Sequence, residues 1–403
     1  MDVIFNETVR LMGNATAGRR LTRPGSFPWD YRIVATVLQS LIFLLGFCGN
    51  ILLIIVVKRT RALHTPTYCY LVSLAFADLM VLVSAVPEAI MSNHLYFRQW
   101  VLGQVGCSVL IFGNFLGINA GSLSIITFSI ERYIAVRHTM LAQRICTVAR
   151  AKLISLCVWA FCILYCSPWL GLTLVKPHPR DPRLEVCDFR VSHQQYVYYF
   201  TIDITLFYFI PLILSVYLYT RIAQVLRSRN QLKGLTEAVP INRVKDSQTS
   251  ITSPNGRKLG WQEPTAKGAA ANVVVRMEDV SVSGIWKQRF SSMTSSRHKS
   301  RMNENANTQA IQMLVMVVFL FAISWLPFRG VLLYNTFAAR PWLNSWYMMF
   351  AKCAIYINCG INPLLYNAMN RRFRAAFLEV LRCDLARRPL QETTLSVAET
   401  TAI

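Results

Sequence analysis

The sequence predicts an all-α integral membrane protein built as a bundle of seven transmembrane helices. Three observations support this fold class. The 403 residues are 54% hydrophobic and only 15% charged, the hydrophobic residues cluster into seven long runs, and the charges gather between the runs. A soluble chain of this length usually forms two or three domains with about a quarter of its residues charged. The composition therefore excludes an ordinary soluble enzyme.

Each hydrophobic run is long enough to cross a bilayer as a helix, which needs about 20 apolar residues to span about 30 Å of hydrocarbon. The runs are continuous and lack the alternation over about ten residues that is typical of barrel strands, so we expect helices. The predicted spans are residues 33–57, 69–91, 106–130, 152–175, 197–222, 310–337 and 346–368.

Lys and Arg residues in the short loops predict the orientation, because cytoplasmic loops carry an excess of them. The loop after span one holds Lys58, Arg59 and Arg61, whereas the loop after span two holds Arg98 alone. We therefore expect a multi-pass plasma-membrane protein with its N-terminus outside the cell. The net charge of +22 then lies beside the lipid membrane. Nucleic acid is not expected as a partner, because no folded polar domain lies between the runs.

The spans divide the chain into five predicted segments. Two sequons at Asn6 and Asn14 predict that the tail 1–32 is extracellular and glycosylated. Residues 228–307 are polar and rich in Ser, Thr, Asn, Lys and Arg, as is typical of a long disordered cytoplasmic loop. This loop separates spans one to five, in residues 33–227, from spans six and seven, in residues 308–368.

The remaining segment, residues 369–403, begins with an amphipathic pattern. Phe373 and Phe377 fall on one helical face and Arg residues on the other, which predicts a short cytoplasmic helix in the membrane interface. Cys383 follows as a predicted palmitoylation site. The C-terminal residues 401–403, Thr-Ala-Ile, match a pattern that PDZ domains bind. The alternative is an inert tail, because three residues often match by chance.

Cysteine positions predict one disulfide bond. Of the eleven cysteines, only Cys107 and Cys187 fall at or beyond the predicted outer ends of spans. The outer compartment is oxidising, so these two residues are expected to pair with each other.

Asp78 in span two is the most informative polar residue inside a span, because charge at membrane depth is costly and usually functional. An ionised carboxylate there needs a cation or a proton, so we expect a sodium ion or a protonation-linked switch. Asn362 in span seven either belongs to such a switch or holds the bundle together through hydrogen bonds between helices. We expect no other cofactor.

Short motifs distributed over the spans identify a family. They are Gly49-Asn50, the LAFAD stretch ending at Asp78, Glu131-Arg132-Tyr133, Trp159, Pro211, the SWLPF stretch 324–328, and the NPLLY stretch 362–366. In this order they resemble the rhodopsin-like (class A) G-protein-coupled receptors. Within that class, residues 65–74, 116–120, 129–135, 158–161 and 373–377 are similar to thyrotropin-releasing-hormone receptors.

The resemblance implies a ligand pocket open to the outside and lined by spans three, five, six and seven. The implied contacts are Phe115, Asn119, Phe328, Arg329, Lys352 and Tyr356. The hormone receptors have Tyr, Tyr and Arg where this sequence has Phe115, Phe328 and Lys352. Ordinary helix packing is the alternative for the two Phe residues. Arg329 faces either the pocket or a neighbouring helix, and the sequence identifies no acidic residue at the depth of Lys352.

These departures predict a ligand that is related to, but different from, the tripeptide hormone. Two hydroxyl groups are lost, and Lys keeps the charge of Arg without its planar fork. We expect a receptor for a short amidated peptide that activates Gq and phospholipase C. The alternative is a class A receptor for a different peptide or small ligand with other G-protein coupling.

On the cytoplasmic side, the resemblance implies that Arg132 is released when span six swings outward and opens a cleft for a G-protein α-subunit. The residues assigned to this switch are Asp78, Glu131, Arg132, Tyr133, Tyr219, Trp325, Pro327, Asn362, Pro363 and Tyr366. Arrestin and receptor kinases are the other implied partners.

Three other classes of membrane protein or enzyme do not fit the sequence. An opsin needs a Schiff-base Lys six residues before the Asn-Pro pair, and that position holds Tyr356. A transporter of the repeat type has halves related by symmetry, which this chain lacks. The sequence carries no catalytic motif, so we expect no enzyme activity.

Overall fold

The computed structural model describes residues 25–238, 311–313, 315–335, 338, 342 and 344–382. Seven helices in this part of the chain are long and apolar enough to cross a membrane, which confirms the predicted fold class. They are α1 (Trp29–Arg59), α2 (Pro66–Ser92), α3 (Gly103–Arg137), α4 (Val148–Cys166), α5 (His193–Ile204, then Thr205–Phe209 and Ile210–Ala238), α6 (Ile311–Asn335) and α7 (Ser345–Met369).

The chain divides into two compact units. The first comprises Met1–Ala223 with Gln309–Ile403, and the second comprises Gln224–Thr308, of which the described residues 224–238 are helical. The helix thus continues past residue 228, where the loop was predicted to begin. The predicted sites at Asn6, Asn14, Cys383 and residues 401–403 lie outside the described residues, as does the rest of the predicted loop.

The predicted fourth span, 152–175, extends too far. Helix α4 ends at Cys166, a short helix covers Trp169–Leu172, and strand β1 (Thr173–Pro177) begins inside the predicted span. Strand β1 pairs antiparallel with β2 (Glu185–Phe189), with Val175 opposite Cys187. Hydropathy cannot separate these elements, because a short apolar strand and the end of an apolar helix have the same composition.

One π-helical turn, Thr205–Phe209, interrupts α5. Such a turn leaves backbone groups without their regular helical partners. Here Ser122 on α3 donates a hydrogen bond to the Phe207 carbonyl at 2.6 Å. The turn therefore fastens α5 to α3 in the middle of the bundle.

Close approach of helix backbones depends on glycine, as is common in membrane bundles. A Cβ atom at Gly117 on α3 would lie 2.8 Å from the Ala77 carbonyl oxygen and 2.8 Å from Val81 Cγ2, both on α2. A Cβ atom at Gly46 on α1 would lie 3.0 Å from Gly360 Cα on α7. These contacts bring α2 against α3, and α1 against α7.

Helix α8 (Arg371–Leu381) follows α7 directly, as predicted. Asn370 caps it by accepting hydrogen bonds from the Arg372 and Phe373 backbone amides, and its side chain donates to the Tyr68 hydroxyl at 2.9 Å. Phe373 and Ala376 are buried. The apolar face of this amphipathic helix thus packs on the bundle.

Candidate functional site

A cavity of about 1120 Å³, counted to its open mouth, lies among α1, α2, α3 and α7 at the end of the bundle that carries the β-hairpin. Ser84, Glu88 and Ser92 of α2 line it, as do Met348 and Lys352 of α7. Residues four apart lie on one face of a helix, so each helix presents a single stripe to the cavity.

Three segments that are distant in sequence form a cap beside this cavity. The Phe97 amide donates to the Gly25 carbonyl at 2.9 Å, and the Trp100 amide donates to the Glu185 carbonyl at 2.8 Å. Phe97, Trp100 and Cys187 line the cavity. We call residues 25–28, residues 96–100 and the β-hairpin the cap.

The disulfide Cys107–Cys187 confirms the sequence prediction and ties β2 to the first turns of α3. Its Cα atoms are 5.7 Å apart, within the usual range. The other strand is tied to α3 as well, because the Ser108 and Thr173 hydroxyls lie 2.7 Å apart and are hydrogen-bonded. The hairpin is thus fixed at both strands.

His178, which follows β1, joins the hairpin to residues 96–100. Its Nδ1 accepts a hydrogen bond from the Arg180 amide at 3.0 Å, and its Nε2 lies 3.2 Å from the Phe97 carbonyl. These two partners require the neutral imidazole with the proton on Nε2. Burial, with Arg98 and Arg180 nearby, lowers the pKa of His178 below its usual value.

The cavity is lined by α1, α2, α3 and α7, whereas spans three, five, six and seven were expected to line the ligand pocket. The predicted ligand contacts therefore fall into two groups. Lys352 lines the cavity. Tyr356, one turn further along α7, is buried, and its hydroxyl donates to the Ala85 carbonyl at 3.5 Å. Asn119 and Arg329 instead meet around Asp203 on α5. The sequence left the direction of Arg329 open, and the structure shows that it faces Asp203.

We call Asp203, Asn119 and Arg329 the Asp203 cluster. Arg329 Nη1 lies 3.6 Å from Asp203 Oδ2, and Asn119 Nδ2 donates to Asp203 Oδ1 at 3.1 Å. All three residues are buried. The three residues come from α3, α5 and α6, so the cluster links these helices. The link is strong because a buried charge without a counter-charge is strongly unfavourable.

Aromatic rings surround the Arg329 guanidinium. It lies 5.2 Å from the Trp325 ring centre and 5.8 Å from that of Phe200, both within cation–π range. Phe115 stacks on Trp169 with ring centres 4.7 Å apart, and Phe328 is buried. Trp325, predicted as part of the switch, is therefore in direct contact with the Asp203 cluster.

Asp78 and Asn362 meet in the middle of the bundle, where Asn362 Nδ2 donates to Asp78 Oδ2 at 2.8 Å. Nearby, Asn50 donates to the Cys359 carbonyl at 2.9 Å, one turn before Pro363. Among the described residues, no three His, Cys, Asp or Glu side chains lie together as a metal site. A sodium ion at Asp78 would therefore be held by one carboxylate and neutral oxygens, the hard ligands that such cations prefer.

At the opposite end of the bundle, Arg132 Nη2 lies 2.6 Å from Glu131 Oε1. Its guanidinium lies 5.7 Å from the Phe128 ring centre. The Tyr219 hydroxyl on α5 lies 3.0 Å from Ser129 Oγ on α3. Glu131 and Arg132 thus pair with each other, and Tyr219 of the predicted switch joins α5 to α3 through Ser129.

The other predicted switch residues connect neighbouring elements. The Pro327 carbonyl of α6 accepts a hydrogen bond from the Tyr347 hydroxyl of α7 at 3.3 Å. Tyr366 is buried and lies edge-on to Phe373 of α8, with ring centres 6.5 Å apart. Tyr133 makes an edge contact with His138 at 6.2 Å.

Several polar residues of the cavity escaped prediction, among them Glu88 on α2 and Asn114 on α3. Glu88 corrects the expectation that no acidic residue lies near Lys352, because both line the same cavity. The signal was present in the sequence, since Glu88 is a charged residue inside the predicted span 69–91. Whether Glu88 faces this cavity depends on how α2 packs against its neighbours, which the sequence does not specify.

A family model described as 7 transmembrane receptor (rhodopsin family) matches residues 49–366 of the chain. The thyrotropin-releasing hormone receptor of Gallus gallus is 37% identical over 360 residues, covering 89% of this chain and 81% of that protein. The receptor of the same name from Homo sapiens is 36% identical, covering 88% and 79%. A cholecystokinin receptor of Xenopus laevis is 27% identical, covering 95% and 84%.

Proposed function

This chain belongs to the rhodopsin family of seven-transmembrane receptors, and on that premise we propose that it is a plasma-membrane receptor for a short amidated peptide. The thyrotropin-releasing hormone receptors at 36–37% identity support a ligand of this class. The observation that carries the proposal is Lys352, a cation lining a cavity of about 1120 Å³.

Lys352 acts as the polar anchor of the ligand. Its ammonium donates to the carboxamide oxygen of the amidated C-terminus. A hydrogen bond to a charged group contributes about 1.5–3 kcal/mol. Asn119 lies outside the cavity lining, at the Asp203 cluster, and its Oδ1 has no hydrogen-bond partner among the described residues. In this proposal that oxygen contacts the other end of the ligand. Because Asn119 is fully buried, this contact requires the Asp203 cluster to open.

The test is agonist dose–response in transfected cells, with calcium as the readout and thyrotropin-releasing hormone and other short amidated peptides as probes. Lys352→Ala should lower potency roughly 10- to 150-fold, which corresponds to the loss of that hydrogen bond. Lys352→Arg should retain or improve potency toward the hormone, because it restores the planar fork of the hormone receptors.

Surface expression of each variant is matched to that of the unmodified receptor. A shift below about threefold for Lys352→Ala would mean that the anchor lies elsewhere. If no amidated peptide raises calcium, the alternative holds, namely a class A receptor for a different peptide or small ligand with other coupling.

Signalling proceeds through Gq and phospholipase C at the end of the bundle that carries Arg132, which faces the cytoplasm in the orientation expected from the Lys and Arg bias. Movement of α6 begins at Trp325 and Pro327, supported by the contact of Trp325 with Arg329 at the Asp203 cluster. Sodium at Asp78 is an allosteric modulator in this scheme. Arrestin, receptor kinases and a PDZ protein at the C-terminus complete the set of partners.

A further inference from the structure

The cavity beside the cap carries charges of both signs, on α2, on α7 and on the cap. Lys352 lines it from α7, and Arg98 lines it from the cap. Glu88 lines it from α2 and is the one acidic residue among the described lining residues. A carboxylate needs a complementary positive partner, and a cationic group of the ligand can supply one at Glu88.

Asn114 provides an independent observation at the same wall. It also lines the cavity, is 5% exposed, and its Oδ1 has no hydrogen-bond partner within the described part of the chain. A buried acceptor without a partner is unfavourable, and a donor group of a ligand would satisfy it. Both Glu88 and Asn114 thus offer acceptor oxygens to the same cavity.

Helix packing places Glu88 and Asn114 about one helical turn apart in depth, on neighbouring helices. A Cβ atom at Gly113, the neighbour of Asn114 on α3, would lie 3.3 Å from Ser84 Cβ on α2. Glu88 follows Ser84 by four residues, which is about one helical turn. The acceptors therefore stand on adjoining faces of α2 and α3, while Lys352 stands on α7.

We propose that Glu88 and Asn114 together bind a primary ammonium group of the ligand, while Lys352 binds its carbonyl end. This inference rests on the proposed function, because it specifies which short peptides the cavity takes. An ammonium carries one positive charge and three N–H donors, which suits one carboxylate and one amide oxygen. The receptor would then prefer peptides with a free amine to peptides whose amine is blocked.

The probes are two libraries of tetrapeptide amides with identical sequences, one with a free N-terminal amine and one N-acetylated, each made with and without lysine. Wild-type receptor should respond to the free-amine library at roughly tenfold or greater potency over the acetylated one, as expected for one charge-assisted hydrogen bond. Potency that survives acetylation in lysine-containing peptides alone would identify the ammonium as a side-chain amine.

Glu88→Gln keeps the size of the side chain and removes its charge. It should lower the potency of free-amine peptides roughly tenfold or more and leave acetylated peptides unchanged. Asn114→Asp introduced into the Glu88→Gln receptor should restore the preference for the free amine, because it returns a carboxylate to the same wall. A purely structural role for Glu88 would give no such restoration.

Glu185→Gln is the matched control, because Glu185 is an exposed carboxylate of the hairpin that is not among the cavity-lining residues. It should shift neither library. Equal potency of free and acetylated peptides at the wild-type receptor, with lysine-containing peptides no more potent than lysine-free ones, would overturn the inference and leave the proposed function intact. Equal shifts of both libraries in Glu88→Gln would also overturn it, because they indicate a pair within the protein. If neither library activates the wild-type receptor, the proposed function fails and the inference fails with it.

Discussion

At the scale of single residues, the carboxylate of Asp203 holds two side chains from other helices. It accepts a hydrogen bond from Asn119 at 3.1 Å and lies 3.6 Å from Arg329. The Arg329 and Asp203 side chains are only 7% and 3% exposed. Because neither charge is hydrated by bulk water, each depends on the other.

We expect Asp203→Asn to lower the thermal unfolding temperature of the purified receptor in detergent. The substitution leaves the Arg329 charge buried without its counter-charge, and breaking a buried pair costs about 3–5 kcal/mol. Asp203→Asn combined with Arg329→Met removes both charges and should recover much of the loss. A double variant less stable than Asp203→Asn alone would show that the pair is not the main source of the effect.

At the scale of helices, the contact of α2 with α3 depends on the absence of a side chain at Gly117. A Cβ atom there would lie 2.9 Å from the Val81 backbone nitrogen and 2.8 Å from the Ala77 carbonyl oxygen. Backbone atoms cannot move aside as a flexible side chain can. The helices must therefore separate if this position gains even a methyl group.

We expect Gly117→Ala to destabilise the receptor by about 1–3 kcal/mol, as overpacking of a core typically does. Gly121→Ala, one turn along the same helix, is the matched control, because its Cβ would meet Ala77 Cβ at an ordinary 3.5 Å. Thermal unfolding and surface expression of the two variants give the comparison. Equal stability of Gly117→Ala and Gly121→Ala would contradict this account of the α2–α3 contact.

At the scale of the whole molecule, the cap brings together residues that are far apart in sequence. The Gly25 carbonyl accepts from Phe97, the Phe97 carbonyl accepts from His178, and the hairpin that carries His178 is fixed to α3 by Cys187. The cap borders the cavity through Phe97, Trp100 and Cys187. Its stability therefore affects access to the cavity, the proposed ligand site.

The stability of the cap should decrease as the pH falls below about 6.5, the ordinary pKa of histidine. His178 is neutral in the folded cap and its pKa is lowered, so the unfolded chain takes up a proton first on acidification. The stabilisation by neutral His178 is complete above the pKa of this residue in the unfolded chain. It is lost as the pH falls toward the lower pKa of His178 in the folded cap. Unfolding temperatures of wild type and His178→Gln at pH 7.5 and 5.5 test this. A pH dependence as steep in His178→Gln as in wild type would assign the effect to another group.

Much of the fold could be predicted because it follows from local properties of the chain. The length and hydropathy of a run decide whether it crosses a membrane, so seven spans and the helix at Arg371–Leu381 were identified correctly. The pairing of Cys107 with Cys187 followed from their positions at the outer ends of spans. The sequence alone thus determined the helices, the family motifs and this bond.

The tertiary structure alone decided which polar side chains meet. From the sequence, Arg329 could face either the pocket or a neighbouring helix. The packing of α5 against α6 places Asp203 beside it. Glu88 and Asn114 became part of one cavity with Lys352 because α2, α3 and α7 turn these faces toward each other. Hydropathy says that a residue lies within the membrane, whereas the rotation of each helix about its axis depends on contacts with its neighbours. A polar residue in a span therefore acquires its partner, and with it a function, only when the helices pack.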